Sequence, residues 1–491
     1  MAEEVTLGDV DLTTVRARTI SGIVTLVSRS FLLQIVATGG FFALSIYLGR
    51  PEIGLFIAIN DLVSILGYFS DVGLAASLIQ KKEKVTLADL RTTFTIQQLL
   101  VVVLIGVVVL FLPWMTEYYA ISGPGLWLLY SLLGAFFLAS LKTIPSIVLE
   151  RQVKFEVLAA VEVIETLVFY ILAVVLAIRG AGVMAYAWAV IARGLVGTLL
   201  IYLLSPWRIG FGISKGSLKS LLSFGVPYQI NSLVASVKDR FINIILWRII
   251  GADGVGIIGW AQTWSQKPLR FIMDNVTRVT FPSFARLQDH PQELKRGIER
   301  TLFFISLLIF PMLAGMTILA PILVQLVPRW TKWSLALTAL GLYAWNSAWA
   351  SISTPLTNTL NALGKVKINT ILMVMWTALT WILVPWLARM YGYNGVAYAT
   401  AIIAVSSIVP VLIVQKLTHF SLLAAVGKPI LATIAMGIVT WAMARVFSAS
   451  WISLAANIAI SSLVFVAAAY LLLGKQLVSD AQSLWHGFRK K

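Results

Sequence analysis

Leu99–Leu112 reads LLVVVLIGVVVLFL, fourteen consecutive residues without a charged side chain. It lies inside a longer apolar stretch, 91–113, of the length an α-helix needs to cross about 30 Å of hydrocarbon at 1.5 Å per residue. A helix that is apolar all round has no face for water. Val168–Ile178 and Ala467–Leu473 repeat the pattern, and of the 491 residues 59% are hydrophobic and 12% charged, against about 25% charged in soluble domains. The expected class is therefore all-α and polytopic in the membrane, with about fourteen transmembrane helices. The spans fall at 22–48, 53–79, 91–113, 125–149, 156–178, 183–204, 219–247, 253–281, 298–327, 334–360, 367–388, 394–415, 428–447 and 452–473. The loops left between them are too short to hold a separate soluble catalytic domain.

The cation distribution orients the chain. With an even number of spans both termini share one side, and the segments on that side, termini and span ends included, hold 23 cations against 7 on the other. The richer side is assigned to the cytoplasm. The net charge of +17 thus belongs to loops at a membrane surface, and no nucleic-acid partner is expected. Expected domains are a cytoplasmic N-terminal segment (1–21), a first six-helix bundle (22–204), a cytoplasmic connection (205–218), a second bundle (219–415), two additional helices (428–473) and a basic cytoplasmic tail (474–491). The acidic start, with Asp9 and Asp11 before the first arginine, lacks the basic segment of a cleavable signal peptide, so the first helix is expected to be retained.

An internal repeat relates the two expected bundles. Gly49-Arg50-Pro51-Glu52-Ile53-Gly54 and Gly251-Ala252-Asp253-Gly254-Val255-Gly256 share G-x-x-x-[IV]-G at an offset of 202. Pro145 and Pro355 follow in the same order, as do Ala185-Tyr186-Ala187 and Ala397-Tyr398-Ala399. Units of six helices insert in the same orientation, giving parallel repeats of the kind that hold substrate between halves in secondary transporters.

Little in the chain points to covalent chemistry. There is no cysteine, and the three histidines, His290, His419 and His486, fall in predicted loops or the tail, so no metal site and no cofactor are expected. Gly364-Lys365 and Gly427-Lys428 are followed by valine and proline, so neither ends a phosphate-binding P-loop. Asp9-Val10-Asp11 has D-x-D spacing, but in a solvated tail with no fold behind it. A membrane glycosyltransferase or polymerase finds no residues here, and no enzyme activity is expected.

What remains is charge inside the helices: Arg29, Lys142, Arg193, Lys238, Arg240, Lys267, Arg270 and Arg278, each costing at least about 2.5–3.5 kcal/mol at the centre of an isolated helix. Gln262, Gln266, Arg270, Asp274 and Arg278 follow at i+4, a polar stripe on the eighth span; Gln229, Ser232, Ser236, Arg240 and Asn243 mark the seventh, beside Asp239. Static pairing is the plain alternative: Arg270 with Asp274, Asp274 with Arg278, Lys142 with Glu162 or Glu165. Cations still outnumber acids deep in the membrane. Excess positive charge in an aqueous cavity selects an anion, and arginine forks suit phosphate oxygens. Asp61 lies near mid-depth in the second span, with an interhelical hydrogen bond or a pair with Arg29 as its structural alternative. Trp114, Trp127, Trp330, Trp333, Trp386 and Trp451 are expected in the interfacial belt, while Trp247, Trp260, Trp264, Trp345 and Trp349 offer ring faces that suit sugars.

Phe69-Ser70-Asp71-Val72-Gly73-Leu74-Ala75-Ala76-Ser77-Leu78-Ile79-Gln80-Lys81-Lys82-Glu83 resembles the second-helix signature of polysaccharide transporters. So do Leu149-Glu150-Arg151-Gln152-Val153-Lys154-Phe155 and the segment Val276–Gln288 with its Phe281-Pro282-Ser283 centre. The resemblance is to the Wzx-like O-antigen and exopolysaccharide flippases of the multidrug/oligosaccharidyl-lipid/polysaccharide (MOP) exporter superfamily, and it covers most of the first twelve spans. It implies two six-helix bundles that move a polyprenyl-diphosphate-linked oligosaccharide from the cytoplasmic to the exterior leaflet of the cell membrane by alternating access. A coupling ion, H+ or Na+, and neighbouring polysaccharide polymerase or export machinery are implied with it. The cationic cavity of that family points to Arg270, Lys267, Arg240, Arg29 and Lys142, and the carboxylates available for ion coupling are Asp61, Asp239 and Asp274. A multidrug or organic-ion antiporter and a peptidoglycan-precursor flippase of the same superfamily are the rival readings; the excess of in-helix cations opposes the first.

Overall fold

The computed structural model describes the backbone of residues 12–81, 83–119, 121 and 123–489, and their side chains except at 12–27, 118–119, 228, 230–240, 275, 278–279, 473 and 475–489. No strand occurs among the described residues. The helices are α1 (Leu12–Tyr47), α2 (Arg50–Asp71), α3 (Leu74–Gln80), α4 (Leu87–Leu110), α5 (Leu112–Tyr119), α6 (Gly123–Leu141), α7 (Thr143–Arg151) and α8 (Phe155–Ile178). They continue as α9 (Met184–Leu204), α10 (Lys215–Arg286), α11 (Pro291–Leu326), α12 (Leu337–Ala362), α13 (Val366–Val405), α14 (Ile408–Thr418), α15 (Leu422–Val446) and α16 (Trp451–Arg489), with a 3₁₀ segment at Trp330–Ala336. Eleven helical segments among the described residues are long and apolar enough to cross a membrane, so the chain is an all-α, multi-pass membrane protein.

The pattern on α8 shows why. Ala160, Ile164, Leu167, Ile171, Val175 and Ile178 are exposed, while Ala159, Val161, Glu165, Phe169, Ala173 and Ala177 are buried. The exposed stripe is apolar and the buried one carries small residues and a carboxylate, the inverse of a soluble helix. Small residues let membrane helices approach, and polar side chains bond across them. Elsewhere local chemistry sets the ends: at the start of α4, the Thr86 hydroxyl accepts from Asp89 N at 3.2 Å and Asp89 Oδ2 accepts from Thr86 N at 3.0 Å. That reciprocal cap contributes about 1 kcal/mol, and Lys81 Nζ adds an ion pair to Asp89 at 2.7 Å.

Several expected spans differ in detail. The stretch 53–79 breaks at Val72 (φ 46°) and Gly73 (φ 74°), both left-handed, and Asp71 Oδ1 accepts from Ala75 N at 3.1 Å, so this acid caps α3 rather than lying inside a continuous helix. The stretch 125–149 breaks at Lys142, the residue before α7. The expected loop at 248–252 shrinks to a kink at Gly251 (φ 67°) inside α10, and the one at 389–393 to Gly392 (φ 60°) inside α13. Trp330 and Trp333 are not belt residues. They are buried against Trp260, Trp333 stacked on it at 5.2 Å and Trp330 edge-on at 5.6 Å. Trp260 is itself buried, which removes its face as a sugar platform, whereas Trp114, Trp127, Trp386 and Trp451 are exposed.

The chain forms two compact units, Met1–Gly256 and Ile257–Lys491. In the first, Leu74, Leu78, Leu90, Phe94, Ile144 and Leu221 share a core. In the second, Phe284, Leu294, Leu302, Leu356, Leu360 and Val414 do.

Candidate functional site

In the first unit the in-helix charges gather around α8. Glu165 is ten residues from the start of α8, about 15 Å along a helix of 24 residues and so near its middle. Its carboxylate pairs with Lys142 and lies 3.7 Å from Arg193 Nε on α9. Its neighbours are fitted to it, because any Cβ at Gly197 on α9 would land on the Glu165 carboxylate. One turn earlier on α8, Glu162 pairs with Arg29 of α1. Of the five expected cavity cations, Arg29 and Lys142 thus carry carboxylate partners, and the Lys142–Glu165 pairing offered by the sequence is the one formed.

Asp61 on α2 takes an interhelical role named as its alternative: its Oδ2 accepts from Asn243 Nδ2 of α10 at 2.6 Å. Beside it, Ala58, Ile59, Leu62, Met115, Ile121, Ile244 and Trp247 line a small, partly open apolar pocket. Arg240 and Asp239 fall on side chains outside the described residues, as does Arg278.

In the second unit Gln266, Lys267, Arg270 and Asp274 follow one another on α10. Arg270 donates from Nη2 to Gln266 Oε1 at 3.2 Å. No ion pair joins it to Asp274, so the expected strut is not made, and among the described residues neither Lys267 nor Arg270 is in any ion pair. No group of three or more His, Cys, Asp or Glu side chains able to hold a metal occurs among the described residues.

Two contacts were not expected from sequence although their residues were quoted. A Cβ on Gly54 would collide with the Ala252 carbonyl and Gly256 N, and one on Gly256 with the Arg50 carbonyl. Arg50 Nε also meets Asp253 Oδ1 at 3.0 Å. The two copies of the repeated motif therefore pack on each other. The offset of 202 that relates Gly54 to Gly256 also relates Arg50 to Ala252, so the contact is reciprocal.

With these features in place, comparison with known proteins is informative. The sequence profile of the family described as "Polysaccharide biosynthesis protein" matches residues 47–334, more than half the chain. The chain belongs to this family. Among curated relatives, the lipopolysaccharide biosynthesis protein WzxC of Escherichia coli (strain K12) is 24% identical over 325 residues, 65% of this chain. The chain spans only 64% of that relative's length. Among solved structures, the lipid II flippase MurJ in an inward closed conformation superposes with a TM-score of 0.73 at 15% identity, over 91% of this chain and 98% of MurJ. An inward-facing multidrug resistance MATE transporter of the MOP superfamily superposes at 0.58 with 18% identity, over 80% and 98%. At such identities the likeness speaks to fold. Family and fold agree: the chain is a multi-pass member of the polysaccharide biosynthesis protein family with a fold like those of MurJ and the MATE transporter.

Proposed function

We propose that this polysaccharide-family member is a flippase that carries a polyprenyl-diphosphate-linked oligosaccharide from the cytoplasmic to the exterior leaflet of the cell membrane by alternating access. The observation that carries the reading is the pair Lys267 and Arg270, two cations in a membrane helix without an ion pair among the described residues. Placing charge there is costly unless it faces water or a ligand, and a guanidinium binds two phosphate oxygens at once. The glycan and diphosphate cross through the cavity while the polyprenyl tail stays in lipid. Fourteen spans, two parallel six-helix repeats and cytoplasmic termini belong to the same proposal, which the reciprocal Gly54–Gly256 contact supports. H+ or Na+ drives the cycle through Asp61, Asp239 or Asp274. The likeness to MurJ is one of fold and does not choose the glycan.

Three variants test the reading through glycan export and membrane abundance. Arg270→Ala is expected to abolish export at normal abundance, Arg270→Lys to retain part of it, and the double alanine variant with Asp274 to rescue nothing. Full export by the double variant overturns the diphosphate role. Asp61→Asn is the coupling arm: normal gradient-driven transport in proteoliposomes removes Asp61 from the coupling candidates.

A further inference from the structure

The connection from α9 to α10, residues 205–214, forms no helix and is held along the start of α4. Gly212 N donates to Thr95 Oγ1 at 2.9 Å and Ser214 N to Thr92 Oγ1 at 3.0 Å. The Trp207 ring packs edge-on against Phe94 at 4.9 Å, on the core of the first unit. A Cβ at Gly210 would lie 2.7 Å from Arg91 Nε, so glycine lets the connection lie against the arginine. Arg91, Thr92 and Thr95 share one face of α4. That helix has 24 residues, about 36 Å and slightly more than the hydrocarbon is thick. Thr92 and Thr95 lie about 8 and 12 Å from its first residue, so the connection runs in the layer where acyl chains meet headgroups. Water is scarce there, and the two hydroxyls satisfy backbone donors in its place.

What the connection turns outward is amphipathic. Ile209, Phe211 and Ile213 are exposed, Phe211 at 69%, and they continue the exposed apolar surface of Leu199, Leu203 and Leu204 at the end of α9. Beside them stand Arg91, Arg208, Lys215 and Lys219, all exposed and none in an ion pair among the described residues. No acid occurs in 205–219, and Asp89, at the start of α4, is buried and neutralised by Lys81. A surface meant for water alone would not present three large apolar side chains, and one meant for acyl chains alone would not carry four unpaired cations. The combination fits a lipid with an anionic headgroup.

We propose that the 205–214 connection, with Arg91, Lys215 and Lys219, is a docking surface for anionic phospholipid of the surrounding bilayer. The cations hold the phosphodiester headgroup, and the acyl chains lie against Ile209, Phe211 and Ile213. The proposal does not rest on the flippase reading, since the occupant is resident lipid rather than cargo.

The test uses the full chain in neutral detergent. Phosphatidylglycerol and phosphatidylcholine with the same acyl chains are titrated in, and bound lipid is counted by native mass spectrometry. Phosphatidylglycerol is expected to bind the wild type more tightly. Arg208→Gln and Lys219→Gln are each expected to weaken it about fivefold, with phosphatidylcholine binding and melting temperature unchanged. Arg179→Gln, an exposed cation beyond the other end of α9, is the control and is expected to keep wild-type affinity. Equal affinity of the wild type for the two lipids overturns the headgroup role, as does a loss in Arg179→Gln as large as in Arg208→Gln. Should one glutamine variant not fold, the other decides. The apolar half is read separately in liposomes, by a nitroxide on Phe211→Cys in a chain with no other cysteine. Its collisions with oxygen are expected to outweigh those with an aqueous nickel chelate, and the reverse places the connection in water and overturns the docking. If Phe211→Ser converts an oligomer to a smaller species in size-exclusion chromatography, a second copy of the chain covers this face and the lipid proposal fails.

Discussion

Gly197 shows how one residue type sets the charge geometry. A buried carboxylate at mid-span needs partners on every open side, and the Glu165 oxygen occupies the space that any other residue at 197 would fill with a Cβ. Gly197→Ala is therefore expected to push Glu165 off its partners, destabilising the protein by about 1–3 kcal/mol as overpacking does and more where the carboxylate loses Lys142. Melting temperature in detergent checks this; an unchanged value places the Glu165 carboxylate elsewhere. At this scale the sequence exposed the charges but not all their partners. Lys142 with Glu165 was legible because both lie inside expected spans that are consecutive in the chain. Arg29 with Glu162 was not, since nothing along the chain says that α1 and α8 are neighbours. Arg193 escaped the search for polar stripes because it stands alone among apolar residues on its own helix, and its chemistry comes from α8.

Helices touch where the repeated glycines allow them. Gly54 and Gly256 bring two backbones together, each facing the carbonyl of a residue from the other motif copy, and the Arg50–Asp253 pair closes over them. Gly54→Val leaves the helical φ of α2 possible but drives a branched side chain into backbone, which cannot yield as a flexible side chain does. The variant is expected to lose more than about 3 kcal/mol and to appear as aggregate rather than a monodisperse peak in size-exclusion chromatography, with Arg50→Gln, which removes only the ion pair, largely unaffected. Monodisperse Gly54→Val protein at wild-type melting temperature refutes the close approach. The motif was visible as a repeat, yet its role as a contact was not, because an offset in sequence carries no distance. Helix existence read well from hydropathy, and breaks read poorly. Val72-Gly73 and Lys142 interrupt stretches whose apolar content runs on unchanged and went unread, whereas the chain does turn at Gly251 and Gly392, inside the loops that turn-forming residues pointed to, with almost no loop between the helices.

For the whole molecule the membrane is the solvent, and the property it selects on first, long apolar helices, was legible throughout. Apolar length decides which segments span, since no water inside the bilayer satisfies a broken backbone. Orientation is a separate question, for which 23 cations against 7 propose an answer through the positive-inside rule, and it decides which way the proposed substrate moves. The absence of natural cysteine makes the test clean, because each introduced thiol reports alone. Arg179, exposed at the end of α8, and Gln288, exposed after α10, fall on opposite sides in the proposed topology. Arg179→Cys is expected to react with a membrane-impermeant maleimide in intact cells, and Gln288→Cys only after permeabilisation. The reverse pattern inverts the protein in the membrane and turns the proposed export into uptake. Labelling of both sites in intact cells breaks the even count of spans between the termini and the two parallel repeats built on it, because α9 and α10 then lack the crossing that separates them.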